Sequence, residues 1–192
     1  MTKSRLEAFS DGVLAIIITI MMLEMKAPHA GDPASLVPLV PVFFSYLMSF
    51  VHIGIYWNNH HHLLQAAQRV NGRILWANLL LLFWLSLIPF ATAWMGENHF
   101  APWPVAFYGL ILLLAGLSYY LLERLLIAYH GIDSALAQAV GSDWKGILSV
   151  LVYAAAITVA LWKPWLACSM YIFIACLWLI PDRRIEKRLS AS

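Results

Sequence analysis

Long apolar runs separated by short polar breaks set the pattern of this chain. A spanning helix needs about 20 mostly apolar residues, and the sequence offers six such stretches. They run roughly over 5–25, 36–64, 73–95, 103–129, 144–162 and 165–181. Lys26 and Pro28 end the first. The second opens through Leu36 to Pro41 and closes in His60-His61-His62. Trp103 and Pro104 open the fourth, Lys163-Pro164 separates the fifth from the sixth, and Pro181 stops the sixth before a basic tail over 182–188. The pattern predicts an all-α, integral-membrane six-helix bundle, with residues 1–192 as a single six-span domain. It carries no soluble domain, low-complexity region or convincing internal repeat.

Composition agrees. The 192 residues are 62% apolar and 11% charged, with a mean hydropathy of +0.75. A soluble domain is nearer half apolar and a quarter charged. Six spans put both termini on one side. Lys3, Arg5, Arg69, Arg73, Arg124, Lys145, Arg183, Arg184, Lys187 and Arg188 then share that side, against Lys26 and Lys163 on the other. The positive-inside rule makes the richer side cytoplasmic. Nine Trp, several near span ends, fit interfacial belts. The expected location is the plasma membrane, as a multi-pass protein. No basic stretch with interleaved aromatics points to nucleic acid. Asp11 at the head of the first run, and Glu24, Lys26 and Pro28 without an Ala-x-Ala site, favour a retained helix over a cleaved leader. Cys168 and Cys176 are separated by roughly 12 Å of helical rise, too far for a disulfide.

The first run holds an oddity. A carboxylate, Asp11, sits inside an otherwise lipid-like segment, and an ionisable group there needs a partner or a watered path. At about 100° per residue, Ile16, Thr19, Ile20 and Leu23 share a wedge roughly 100° wide, with Asp11 roughly 140° from Ile16. Several copies of this helix around an axis would stack apolar rings with one ring of hydroxyls, and such rings gate by dewetting. The same spacing also serves ordinary bundle packing. Glu24 lies about 80° from Ile16. There it either concentrates cations at a pore mouth with Lys26, His29 and Asp32 nearby or is a solvated helix end. Glu123-Arg124 reads as an interfacial pair.

The run Arg5-x-x-x-Phe9-Ser10-Asp11-Gly12-Val13-x-Ala15-Ile16-x-x-Thr19 resembles the first-helix signature of the transmembrane protein 175 family, potassium channels of lysosomes and many prokaryotes. Gly54-Ile55-Tyr56-Trp57-Asn58-Asn59-His60-His61, Trp76-Ala77-Asn78-Leu79 and Leu87-Ile88-Pro89-Phe90-x-Thr92-Ala93 resemble its second and third helices. The resemblance covers the first half of the chain. It implies a homotetramer whose four first helices line a central pore. It further implies an apolar constriction at Ile16, with layers at Ile20 and Leu23 and hydroxyls at Thr19 that favour potassium. Two of these three layers are Ile where Leu is common, and β-branched Ile is stiffer. The family lacks the Thr-Val-Gly-Tyr-Gly carbonyl filter, and so does this chain. The implied function is passive, potassium-preferring cation flux with some proton leak. No enzyme activity or cofactor is implied, and the partners are a second copy of the chain, the bilayer and monovalent cations.

The resemblance also implies that Ser10 and Asp11 join the first helix to the second and third, with Trp57, His60, His61 and Asn78 as candidate partners. A metal site is not expected beyond permeant potassium. Three consecutive helical histidines point about 100° apart and cannot converge on one ion, and His29, His52, His99 and His130 are scattered. Two other classes stay in view. A secondary transporter would show paired broken helices, which the sequence does not offer. A structural membrane subunit would carry no flux.

Overall fold

The computed structural model describes residues 2–140 and 144–179. Among them every regular element is helical. These are α1 (Lys3–Leu23), α2 (Val40–Ala66), α3 (Gly72–Ser86), α4 (Ile88–Glu97), α5 (Pro102–His130), α6 (Ala135–Val140), α7 (Trp144–Ala160) and α8 (Pro164–Leu179). Four helical stretches are long and apolar enough to cross a membrane: Lys3–Leu23, Pro33–Ala66, Gly72–Glu97 and Pro102–His130. Trp144–Ala160 and Pro164–Leu179 are shorter apolar helices. Large apolar side chains such as Trp76, Phe83, Leu151 and Phe173 face outward, as befits a multi-pass membrane protein whose solvent is lipid. Pro181 and the basic residues Arg183, Arg184, Lys187 and Arg188 lie outside the described residues.

Local chemistry explains the boundaries. A 3-10 turn over Pro33–Leu39 precedes α2, and Asp32 caps it by accepting from the Ser35 backbone N–H at 2.9 Å. Asn71 caps α3 by accepting from the Ile74 N–H at 3.0 Å. Gly131, at φ 95°, ends α5 in a conformation that disfavours side chains. The third predicted span is not one straight helix. It breaks at Leu87 between α3 and α4, because Pro89 has no N–H and its ring crowds the carbonyl four residues back. The short α6 was not anticipated from the sequence.

α1 lies against α2, α3 and α4. α3 packs along α5, α5 along α7, and α7 along α8, while α2 packs along α4. At Gly96 α4 comes close to α2: a Cβ there would sit 2.8 Å from the Val42 Cα and 2.5 Å from Ser45 Oγ. Cys168 is buried, Cys176 exposed, and both are free thiols.

Candidate functional site: the two faces of the first helix

α1 has 21 residues, roughly 31 Å of helix, which matches the hydrocarbon thickness of a bilayer. One face, carrying Leu6, Ser10, Leu14, Ile17 and Met21, is buried against the neighbouring helices. The other is bare. Ile16, Ile20 and Leu23 are 59%, 41% and 75% exposed, and Thr19 is exposed beside them. Phe9 and Gly12, also exposed, extend the stripe toward the N-terminus. The Thr19 hydroxyl donates to the Ala15 carbonyl at 2.9 Å, which commits its proton and leaves oxygen lone pairs pointing away from the helix.

The opposite side holds a polar clamp. Ser10 Oγ donates to the Leu6 carbonyl at 2.9 Å. With that proton committed, Ser10 can only accept from Asn78 Nδ2, 2.9 Å away on α3. The amide orientation follows: Asn78 Oδ1 faces His60 Nε2 of α2 at 2.6 Å. His60 therefore carries its proton on Nε2 and donates. Ser10, Asn78 and His60 are all buried, so the chain ties three helices together away from water.

Asp11 is met by an indole rather than an imidazole. Trp57 Nε1 donates to Asp11 Oδ1 at 3.0 Å. His61 instead bonds Glu7, with Nδ1 3.0 Å from Oε1, and its ring stacks on that of Trp57 with centroids 6.2 Å apart. Of the expected partners, Trp57 joins Asp11, Asn78 and His60 join Ser10, and His61 joins neither. Glu7 was not singled out from the sequence, though it lies four residues before Asp11, on the same helix face.

Below this clamp, Lys3 Nζ donates to the carbonyls of Gln65 at 3.2 Å and Ala67 at 2.9 Å. A cation there suits the negative end of α2.

Glu24 follows the last residue of α1 and is exposed. Glu123 is buried, and the Arg124 guanidinium lies 4.8 Å from the Tyr120 ring centroid; as adjacent helical residues they point about 100° apart. Among the described residues no three His, Cys, Asp or Glu side chains gather as metal ligands. An apolar cavity of about 260 Å³ lies among His52, Tyr56, Gly116, Tyr153 and Trp178, with no residue of α1 in its lining.

The family model described as "Endosomal/lysosomal potassium channel TMEM175" matches residues 5–89. A potassium channel of a Chryseobacterium species is 53% identical over 190 residues, 99% of either chain. The chain belongs to the TMEM175 family. The endosomal/lysosomal proton channel TMEM175 of Mus musculus is 31% identical over 103 residues, 47% of this chain and 21% of that protein. Among solved structures, the crystal structure of a lysosomal potassium-selective channel TMEM175 homologue from Chamaesiphon minutus matches with a TM-score of 0.78 at 28% identity. The match covers 93% of this chain and 96% of that one. The family is one of ion channels, not enzymes. The bare stripe and the clamp both fall within the segment that the family model matches. Its closing residues, Ile88 and Pro89, open α4 just past the break at Leu87.

Proposed function

We propose that this chain is a potassium-preferring cation channel of the plasma membrane. Four copies surround a central pore lined by α1. Residues 1–192 form one domain that crosses the bilayer six times, with both termini in the cytoplasm. Ile16, Ile20 and Leu23 form stacked apolar rings that gate by dewetting, and Thr19 presents hydroxyl oxygens to the partly dehydrated cation. Glu24 sits at the mouth and raises the local cation concentration. Flux is passive, needs no cofactor, and includes some proton leak. Ser10, Asp11, Trp57, His60, His61 and Asn78 hold the pore helix to its scaffold.

The observation that carries this reading is the division of α1. Glu7, Ser10 and Asp11 are bonded to α2 and α3, while an apolar stripe with a single hydroxyl is left without cover from its own chain. Between Phe9 and Leu23 the stripe presents no charge, so the ion path reads as a hydrophobic constriction rather than a binding filter. The names of the relatives support the ion class, potassium in one case and protons in the other.

The test is flux through purified protein in liposomes under a potassium gradient with no coupled ion. Wild-type protein should pass potassium. Ile16→Asn should raise the flux and weaken the preference for potassium, because a ring of amides wets the constriction. A wild type and an Ile16→Asn variant that are both silent would overturn the channel reading.

A further inference from the structure

The end of α2 is gripped from two sides. Lys3 of α1 holds its last carbonyls, as described above. From the other flank comes His130, the last residue of α5. Its Nδ1 lies 2.8 Å from the Leu126 carbonyl. Its Nε2 is approached by two backbone N–H groups just beyond α2, those of Gln68 at 3.0 Å and Arg69 at 3.2 Å.

The partners fix the state of the ring. A carbonyl only accepts and a backbone N–H only donates. Nδ1 must therefore carry the proton, and Nε2 must offer a lone pair to both amides. Neutral imidazole alone can do this. A proton added at Nε2 would confront two N–H groups with a third, and both bonds would be lost.

We propose that His130 is an acid-released latch on the α2–α3 junction. The bonds exist while the ring is neutral and are lost when Nε2 takes up a proton. Release frees the segment between Ala67 and Asn71. Ala67 is also where Lys3 is anchored, so opening loosens the grip on the first turn of α1. The charged groups on the elements that meet here are Lys3, Arg5, Glu7 and Asp11 on α1, Arg69 in the junction, Arg73 on α3, Glu123 and Arg124 on α5 and Asp133 just beyond α5. Among the described residues none of them forms a salt bridge with the ring. His130 lies outside the segment matched by the family model, and the latch does not depend on what the pore conducts.

Hydrogen–deuterium exchange of the full chain in nanodiscs tests this, with rates corrected for the intrinsic effect of pH. Between about pH 7.5 and pH 5.5, spanning the range over which imidazole charges, the amides of Gln68 and Arg69 should lose protection. The loss should reach about tenfold or more, the equivalent of one good hydrogen bond, while amides in the middle of α2 stay protected. In His130→Phe those two amides should exchange quickly at both pH values. A second readout needs no substitution: ring nitrogen shifts of labelled histidine should pass from the Nδ1–H tautomer to imidazolium over the same pH range as the loss of protection. Amides that stay protected while the ring charges would overturn the latch. So would an unchanged pH profile in a folded His130→Phe.

Discussion

Asn78→Ala is the sharpest test of how α1 is held. In the native protein the Asn78 amide bridges Ser10 and His60 at 2.9 and 2.6 Å, and all three residues are buried. Truncation removes two hydrogen bonds. Between membrane helices such bonds average about 0.6 kcal/mol each, hence about 1.2 kcal/mol together. The two ends then fare differently. Ser10 keeps its bond to the Leu6 carbonyl and loses only a donor to its oxygen, a small cost. His60 is left with a buried N–H and no acceptor, and its other ring nitrogen, Nδ1, already lacks a partner. A stranded buried donor costs about 1–3 kcal/mol, so the expected loss is about 2–4 kcal/mol.

Reversible unfolding of purified protein in mixed micelles measures this, and a cycle with Ser10→Ala gives it a signature. Ser10→Ala alone strands the Asn78 N–H and should cost about 1–2 kcal/mol. In the double variant no Asn78 N–H remains to be stranded. The pair should therefore cost little more than Asn78→Ala alone. A loss below about 0.5 kcal/mol for Asn78→Ala, or strict additivity of the two substitutions, would refute the bridged geometry, since contacting residues couple by at least that amount.

Two further substitutions probe neighbouring contacts. Asp11→Asn keeps an oxygen facing Trp57 Nε1 and should cost less than about 1 kcal/mol. Trp57→Phe leaves the carboxylate without that donor and should cost more, about 1–3 kcal/mol, so the same unfolding assay should rank the two in that order. Gly96→Ala drives a methyl group into the Val42 backbone and Ser45 Oγ. It should destabilise by about 1–3 kcal/mol, and adding Ser45→Ala should restore only part of this, because the backbone contact remains.

The sequence made different things legible to different depths. Helix positions were readable because apolar length is a blunt physical requirement, and most helix ends fall within a few residues of the polar breaks that predicted them. The break at Leu87 was missed although Pro89 was in plain view, because hydropathy stays high through 86–92 and a length criterion cannot see a missing N–H. The face containing Ile16, Thr19, Ile20 and Leu23 was readable from helical angle, and all four residues are exposed. Pairings across helices were not readable, since they depend on depth and rotation, which angle along one helix does not supply. Asp11 illustrates this. Two histidines, an amide and an indole were equally plausible donors on chemistry alone, and the indole of Trp57 is the one at the right depth.

That pairing changes how the carboxylate should be understood. An aspartate in a membrane helix suggests an ion site, because it is costly to keep there without a function. Here its cost is offset locally: one oxygen accepts from Trp57, and Glu7, on the same face, bonds His61, whose ring stacks on the same indole. Asp11 and Glu7 are thereby turned toward α2, and Ser10 toward α3, on the side of α1 away from its bare stripe. Three polar contacts on one flank fix the rotation of the helix about its own axis far more tightly than an apolar contact could, since a slip of one residue would swing every partner by about 100°. The same rotation decides which residues face the axis of the proposed pore. Polar residues that never touch the ion would thus determine that Ile16 and Thr19, rather than Ile17 and Ile18, meet it.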